Sequence, residues 1–277
     1  MKPVGRHVRV AVVQMDTQSD VAANLVQATE LIRRATRRRA QFVALPESCL
    51  YLGPDRRVVF THDAPPIRAL RDLAATLRIW LLLGSVQEAA GTPHRRYNTS
   101  WLIDPEGRIA ARYRKMHLFR CRMPDGHWLR ETGFHAGTQP MTVKTPFGRI
   151  GLTICYDVRM PELFGILARR GAEILCLPSN FMHFTGQSHW HVLVRARAIE
   201  NQAYMIAPAQ CGHKYNARSY GHALIVGPWG ETLAEAGSAQ PEVLVADLDL
   251  TFVDRYRQQL PALRDRMRTF AKNVTRD

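Results

Sequence analysis

GRIGLTICYDVRMPELFGILARRGAEILCLPS, residues 148–179, is the stretch that decides the fold class. Residues 149–154 are mostly apolar and partly β-branched after the leading Arg149, the composition of a buried strand. Pro161 suits an early helical position, and a helix over 162–170 is closed by Gly171 just past its end. Residues 172–177 then return as a second apolar strand. Strand, helix, strand in one short segment predicts an α/β protein.

Outward from that unit the alternation continues. Strands are expected at 8–14, 40–45, 80–85, 97–103, 109–114, 142–145, 203–207, 222–226 and 243–249, and helices over 20–38, 65–77 and 186–201. Asp104-Pro105-Glu106-Gly107 is a turn sequence, so 97–103 and 109–114 form a hairpin. Pro146-Phe147-Gly148 joins 142–145 to 149–154 in a second hairpin. A further turn, Gly227-Pro228-Trp229-Gly230, separates 222–226 from 243–249. Residues 118–140, rich in Gly, Pro and charge, read as one long loop, a length that often carries function. Hairpins among parallel units imply mixed sheets, and so many buried strands need helices on their outer faces. The expectation is two sheets packed together between helical layers, in one domain over 1–277 with a basic helical tail from about residue 251.

Hydrophobic residues make up 46% and charged residues 22% of the chain, enough to bury a sizeable core. The net charge of +14 comes largely from arginine, as at Arg33-Arg34 and Arg37-Arg38-Arg39. Acidic substrates and nucleic acid would both suit it. No aromatic-interleaved basic stripe or zinc-finger spacing accompanies it, so the arginines read as solvated helix faces and no nucleic-acid partner is expected. Cys49, Cys121, Cys155, Cys176 and Cys211 are odd in number and include no CxxC pair, which reads as reduced thiols in a cytoplasmic protein. Residues 8–13 are too short for a leader. No apolar run approaches the ~18–20 residues that span a bilayer, so no membrane partner is expected.

Three strand ends carry complementary chemistry. Cys155 sits where a strand gives way to a helix, a turn that projects sulfur, leaves backbone N–H groups free and favours thiolate. Glu47 closes the apolar run Phe42-Val43-Ala44-Leu45-Pro46, a desolvated rim position suited to proton transfer. Lysine is scarce in this arginine-rich chain, and Lys115 ends the strand before Met116-His117-Leu118. A compact ammonium suits a developing oxyanion better than a planar guanidinium. Together they offer a base, a cation and a thiol nucleophile.

Leu45-Pro46-Glu47, residues 113–118 (YRKMHL) and residues 155–162 (CYDVRMPE) resemble the nitrilase superfamily, the carbon–nitrogen hydrolases. The resemblance continues through 172–179, 189–201 (HWHVLVRARAIEN) and 219–230 (SYGHALIVGPWG). It implies a four-layer αββα sandwich, a homodimer or larger homo-oligomer, and no cofactor. It implies Glu47 as general base, Cys155 as nucleophile, and Lys115 with the Tyr156 backbone N–H as oxyanion stabilisers. It also implies a second glutamate in the loop after the lysine, Glu131, with Asp125 as the alternative. Gly137 stands one residue closer to Glu131 than the family pattern has it, and Ala136 replaces the usual proline.

Cys-Tyr-Asp rather than Cys-Trp-Glu resembles the amidase branches and disfavours nitriles. The strongest likeness is to deaminated glutathione amidases and ω-amidases, which implies release of ammonia from a small anionic amide such as deaminated glutathione or an ω-amide of an α-keto acid. N-carbamoyl amino acids or aliphatic amides are the alternative substrates, and a catalytically inactive binding member is the non-enzymatic alternative. Arg159 could take a substrate carboxylate, or pair structurally with Asp157 or Glu162. Phe181 and Thr185 match pocket-lining positions of that branch. Cys49 and Cys176 read as core fillers, and Trp190, Leu193, Val194 and Ala198 as core or interface. His183, His189 and His191 have no carboxylate or Cys partner at zinc spacing, so no metal is expected.

Overall fold

The computed structural model describes residues 6–91, 95–123 and 125–266. Among these residues, one sheet runs in the order β15 (Glu242–Asp249), β1 (His7–Gln14), β2 (Phe42–Ala44), β3 (Trp80–Ala89), β4 (Arg96–Ile103) and β5 (Ile109–Arg114), with β8 (Phe134–His135) added beside β4. A second sheet runs β14 (Thr232–Glu235), β13 (Leu224–Val226), β12 (Tyr204–Ala207), β11 (Ile174–Cys176), β10 (Arg149–Leu152) and β9 (Met141–Lys144). β1, β2 and β3 are parallel, as are β10, β11 and β12, while β15, β4 and β5 extend the first sheet and β9, β13 and β14 the second by antiparallel pairing.

The alternation of side chains along β1 builds the layers. Val8, Val10 and Val12 enter a core with Phe42 and Leu82 that also contains Ile150, Leu152 and Ile174 of the second sheet. Ala11 and Val13 enter a separate core with Leu31 and Ile32 of α1 (Val21–Arg37) and Ile67 and Leu70 of α2 (Pro65–Leu77). On the far side, Leu163 and Leu167 of α3 (Pro161–Arg169) and Trp190 and Val194 of α4 (His183–Asn201) cover the second sheet. The result is helix, sheet, sheet, helix: the αββα sandwich expected. Local signals set the helix starts. The Asp20 carboxylate accepts from the N–H groups of Ala22 and Ala23, and Pro65 opens α2.

The structure departs from the sequence reading in three places. The strand after the turn at 227–230 is β14, a mostly exposed segment, whereas residues 242–249 cross to the other sheet and pair antiparallel with β1. The segment 118–140 contains a small ribbon of β6 (Arg120–Arg122) and β7 (Trp128–Arg130) besides β8. A 3-10 helix, Cys155–Arg159, intervenes before α3. The basic tail forms α5 (Leu250–Gln259) and a further helical stretch over 262–266; residues 267–277 lie outside the described residues.

Candidate active site

Glu47, Lys115 and Cys155 follow the carboxyl ends of β2, β5 and β10, the usual place for a site in an α/β sheet. The chain that delivers Glu47 passes so close over β3 that only glycine fits beneath it. A Cβ on Gly84 would stand 1.9 Å from the Leu45 carbonyl oxygen, and β3 shifts register between Leu83 and Val86 at this point. Ser48, in the left-handed region at φ 58°, then turns the chain away, its N–H donating to Ser85 Oγ at 2.9 Å.

The Glu47 carboxylate is buried and fully engaged. Oε1 accepts from Lys115 Nζ at 2.8 Å and from Asn98 Nδ2 at 2.9 Å, and Oε2 accepts from the Asn180 N–H at 2.7 Å. Glu131 joins the same cluster. Its Oε2 lies 2.9 Å from Lys115 Nζ and accepts from the Phe119 N–H at 2.7 Å, and its Oε1 accepts from Asn98 Nδ2 at 3.0 Å. Two carboxylates therefore share one ammonium and one amide group. Burial would lower the Lys115 pKa, but Glu131 and Glu47 outweigh it and hold the ammonium well above its ordinary range. Gly137 closes this loop against β5: a Cβ there would stand 2.2 Å from the Arg114 carbonyl oxygen, and its N–H donates to Lys115 O at 2.8 Å.

Cys155 opens the 3-10 helix with φ 47°, a left-handed conformation uncommon outside glycine. Its N–H donates to Pro178 O at 2.9 Å. The following N–H, that of Tyr156, has no acceptor among the described residues. Burial pushes the Cys155 thiol well above its ordinary pKa, and the Glu47 carboxylate, as an anion and as hydrogen-bond partner, pushes it the same way; Lys115 opposes them. These influences favour the neutral thiol over the thiolate that the strand-to-helix position suggests in isolation.

The Cys155 turn and the Lys115 segment are fastened together by Asp157, which is fully buried. Its carboxylate accepts from Tyr113 Oη at 2.7 Å, from the Ile154 N–H at 2.9 Å and from the His117 N–H at 3.2 Å, with His117 Nδ1 at 2.7 Å. Asp157 is thus not the partner of Arg159. The Arg159 guanidinium lies over the Phe181 ring at 5.2 Å and 3.4 Å from His189 Nδ1.

Glu47, Lys115, Glu131, Cys155, Tyr156, Arg159, Phe181 and Thr185 all line one cavity of about 330 Å³. Asp125 does not: it is exposed and bonded to His127. Cys49 and Cys176 are buried core residues, the Cys49 thiol pushed up to about 12 by burial. The residues missed from sequence are Asn98, Asn180, Tyr113 and Asp157. The alternation Tyr113, Lys115, His117 was the one signal available for the last pair.

The histidines sort differently from their order along the chain. His191 Nε2 and His222 Nδ1 each lie 2.9 Å from Glu235 Oε1, whereas His189 faces Arg159 and His183 the Tyr220 ring. Among the described residues, only His191, His222 and Glu235 bring three metal-capable atoms within 4.8 Å of one another. Glu235, distant in sequence, supplies the carboxylate partner that spacing alone did not reveal. Burial would raise its pKa, but the bonds from both rings hold it below the usual carboxylate range. Among the described residues, no helix is long and apolar enough to cross a membrane.

Comparison with known proteins agrees with this architecture. A sequence model of the family "Carbon-nitrogen hydrolase" matches residues 9–258. The chain is 40% identical over 265 residues to the deaminated glutathione amidase of Synechocystis sp. (strain PCC 6803 / GT-S), covering 93% of this chain and 97% of that one. The crystal structure of the NitFhit protein of C. elegans is similar with a TM-score of 0.87 at 37% identity, over 93% of this chain and 64% of that one. A mutant amidase from Nesterenkonia sp. AN1, with the acetamide moiety of fluoroacetamide covalently added at its active-site cysteine, gives a TM-score of 0.82 at 27% identity over 99% of this chain and 98% of that one.

Proposed function

The chain belongs to the carbon–nitrogen hydrolases and is an amidase, and from that premise we propose that Cys155, Glu47 and Lys115 carry its chemistry. The observation that bears most weight is a buried thiol and an ammonium clamped between two carboxylates, all on a single cavity. Glu47 takes the thiol proton as sulfur attacks the amide carbon. Lys115 Nζ and the Tyr156 N–H hold the tetrahedral oxyanion, each donor contributing roughly 3 kcal/mol. The Glu47 proton then passes to the departing nitrogen, leaving a thioester on Cys155. Water gives a proton to Glu47 as it attacks the thioester, the acid leaves, and the proton returns to sulfur. Glu131 keeps Lys115 aimed at the oxyanion.

The substrate is a small anionic amide, deaminated glutathione or an ω-amide of an α-keto acid. The cyanobacterial relative supports this, as does Arg159, which has no carboxylate partner among the described residues. A primary ω-amide would release ammonia. Deaminated glutathione holds only substituted amides, so its cleavage releases an amine, and an assay must read both. We read the chain as one domain, since both sheets contribute to the cavity. We also read it as a homo-oligomer of the cytoplasm, supported by the exposed Phe184, Val192 and Ile199 on α4 and by five free cysteines.

Replacing Cys155 by Ala tests the scheme. Amide hydrolysis over a substrate panel should vanish, and no acyl adduct should appear by mass spectrometry. Turnover near wild type in that variant would overturn it.

A further inference from the structure

His191, His222 and Glu235 stand outside the cavity that holds Cys155 and take no part in the scheme above. They come from three separate elements: His191 from α4, His222 from the segment just before β13, and Glu235 from the end of β14. Both ring contacts fall on one oxygen, Glu235 Oε1, from His191 Nε2 and from His222 Nδ1, each at 2.9 Å. Oε2 carries no bond among the described residues. In a chain with 38 Lys and Arg against 24 Asp and Glu, an acidic group is expected to take an arginine. Among the described residues Glu235 instead has two imidazoles, and no Lys or Arg in ion-pair contact.

The rings are held from behind. Tyr220 lies 4.5 Å from the His222 ring and 6.0 Å from that of His191, centroid to centroid. Tyr220 is itself seated against α4 at Gly186, where a Cβ would come within 2.3 Å of its ring. The His222 carbonyl accepts from Trp190 Nε1 at 2.8 Å, which fixes the main chain beside the ring. The side chains of His191, His222 and Glu235 keep 33%, 25% and 36% exposure, so an ion can reach them and retain water.

The three ligand atoms lie within 4.8 Å of one another. Around a tetrahedral zinc ion with bonds of about 2.0–2.2 Å, neighbouring ligand atoms stand about 3.3–3.6 Å apart. The two carboxylate contacts need open by only roughly half an ångström to admit the ion. Two neutral imidazoles and a carboxylate suit zinc, whereas magnesium and calcium want more oxygen ligands than the cluster offers.

We propose that His191, His222 and Glu235 bind a zinc-class divalent transition metal, with water in the fourth position. The ion staples β14, the exposed edge strand of the second sheet, to α4.

The test uses untagged protein carrying Cys155→Ala, so that the reactive thiol cannot hold the metal. Zinc chloride titrated by calorimetry at about pH 7.5, where an ordinary imidazole is mostly neutral, should bind as one equivalent at micromolar affinity or tighter. Excess magnesium should leave that binding unchanged. Cobalt(II) in place of zinc should show the visible d–d bands of a four-coordinate ion, with no thiolate charge-transfer band. Zinc should also raise the melting temperature. His191→Ala and Glu235→Gln, both at partly exposed positions, should each weaken zinc binding by at least about a hundredfold and abolish the thermal shift. Failure to bind zinc overturns the proposal. So does undiminished binding in either variant, or a cobalt–thiolate band, since each puts the ion elsewhere.

Discussion

The Tyr113 hydroxyl donates to the Asp157 carboxylate at 2.7 Å, tying the strand that leads into Lys115 to the turn that begins at Cys155. The cation and the nucleophile come from different sheets, so their separation depends on this link and on the His117 bonds to the same carboxylate. Tyr113→Phe should lower kcat about tenfold with little change in KM, because a displaced oxyanion donor is felt in the transition state. Leaving Asp157 short of one donor should cost about 1–3 kcal/mol of stability. Urea unfolding and steady-state kinetics on one preparation check both figures.

Alkylation of Cys155 reads its protonation directly. Burial and the Glu47 charge both favour the neutral thiol, so the thiolate fraction at neutral pH lies below that of free cysteine. The iodoacetamide rate at Cys155 should keep climbing beyond pH 9, without a plateau near neutrality. Glu47→Gln removes the anion that resists ionisation, so this variant should lose turnover yet alkylate faster at pH 8–9. A plateau below pH 7 in the wild type would contradict the assignment.

Asn98 donates to both carboxylates at once. Asn98→Ala should lower kcat about ten- to a hundredfold on every amide, since Glu47 and Glu131 then repel with only Lys115 between them. Thermal unfolding separates this from gross misfolding, and an unchanged kcat would remove Asn98 from the positioning machinery.

Gly84→Ala places a methyl group against the Leu45 carbonyl, 1.9 Å from its oxygen. Strand β3 or the Glu47 arm must move, at about 1–3 kcal/mol or more. Activity should fall by more than stability alone explains, because the arm carries the base.

The sequence showed most clearly what local pattern controls. Glu47, Lys115 and Cys155 each end an apolar run, and that punctuation survives in one dimension. Asn98 and Gln87 sit inside strands, where nothing local separates a polar residue that faces a cavity from one that faces water. The strand at 232–235 was missed because three of its four residues are exposed and it lacks an apolar face. The next apolar run after the turn, 243–249, belongs instead beside β1. From sequence alone, Asp157 stands as a structural partner for Arg159. That carboxylate is already filled by groups from another strand, a fact that only tertiary pairing reveals.

The positive φ of Cys155 makes fitness and robustness pull apart at one position. An L-residue holding that angle forgoes roughly 1–2 kcal/mol that glycine would not. Cys155→Gly should accordingly melt higher than Cys155→Ala, although neither has a sulfur. A search that selected this chain for heat resistance alone would thus drift towards glycine there, and would find its sturdiest variants among the inert ones.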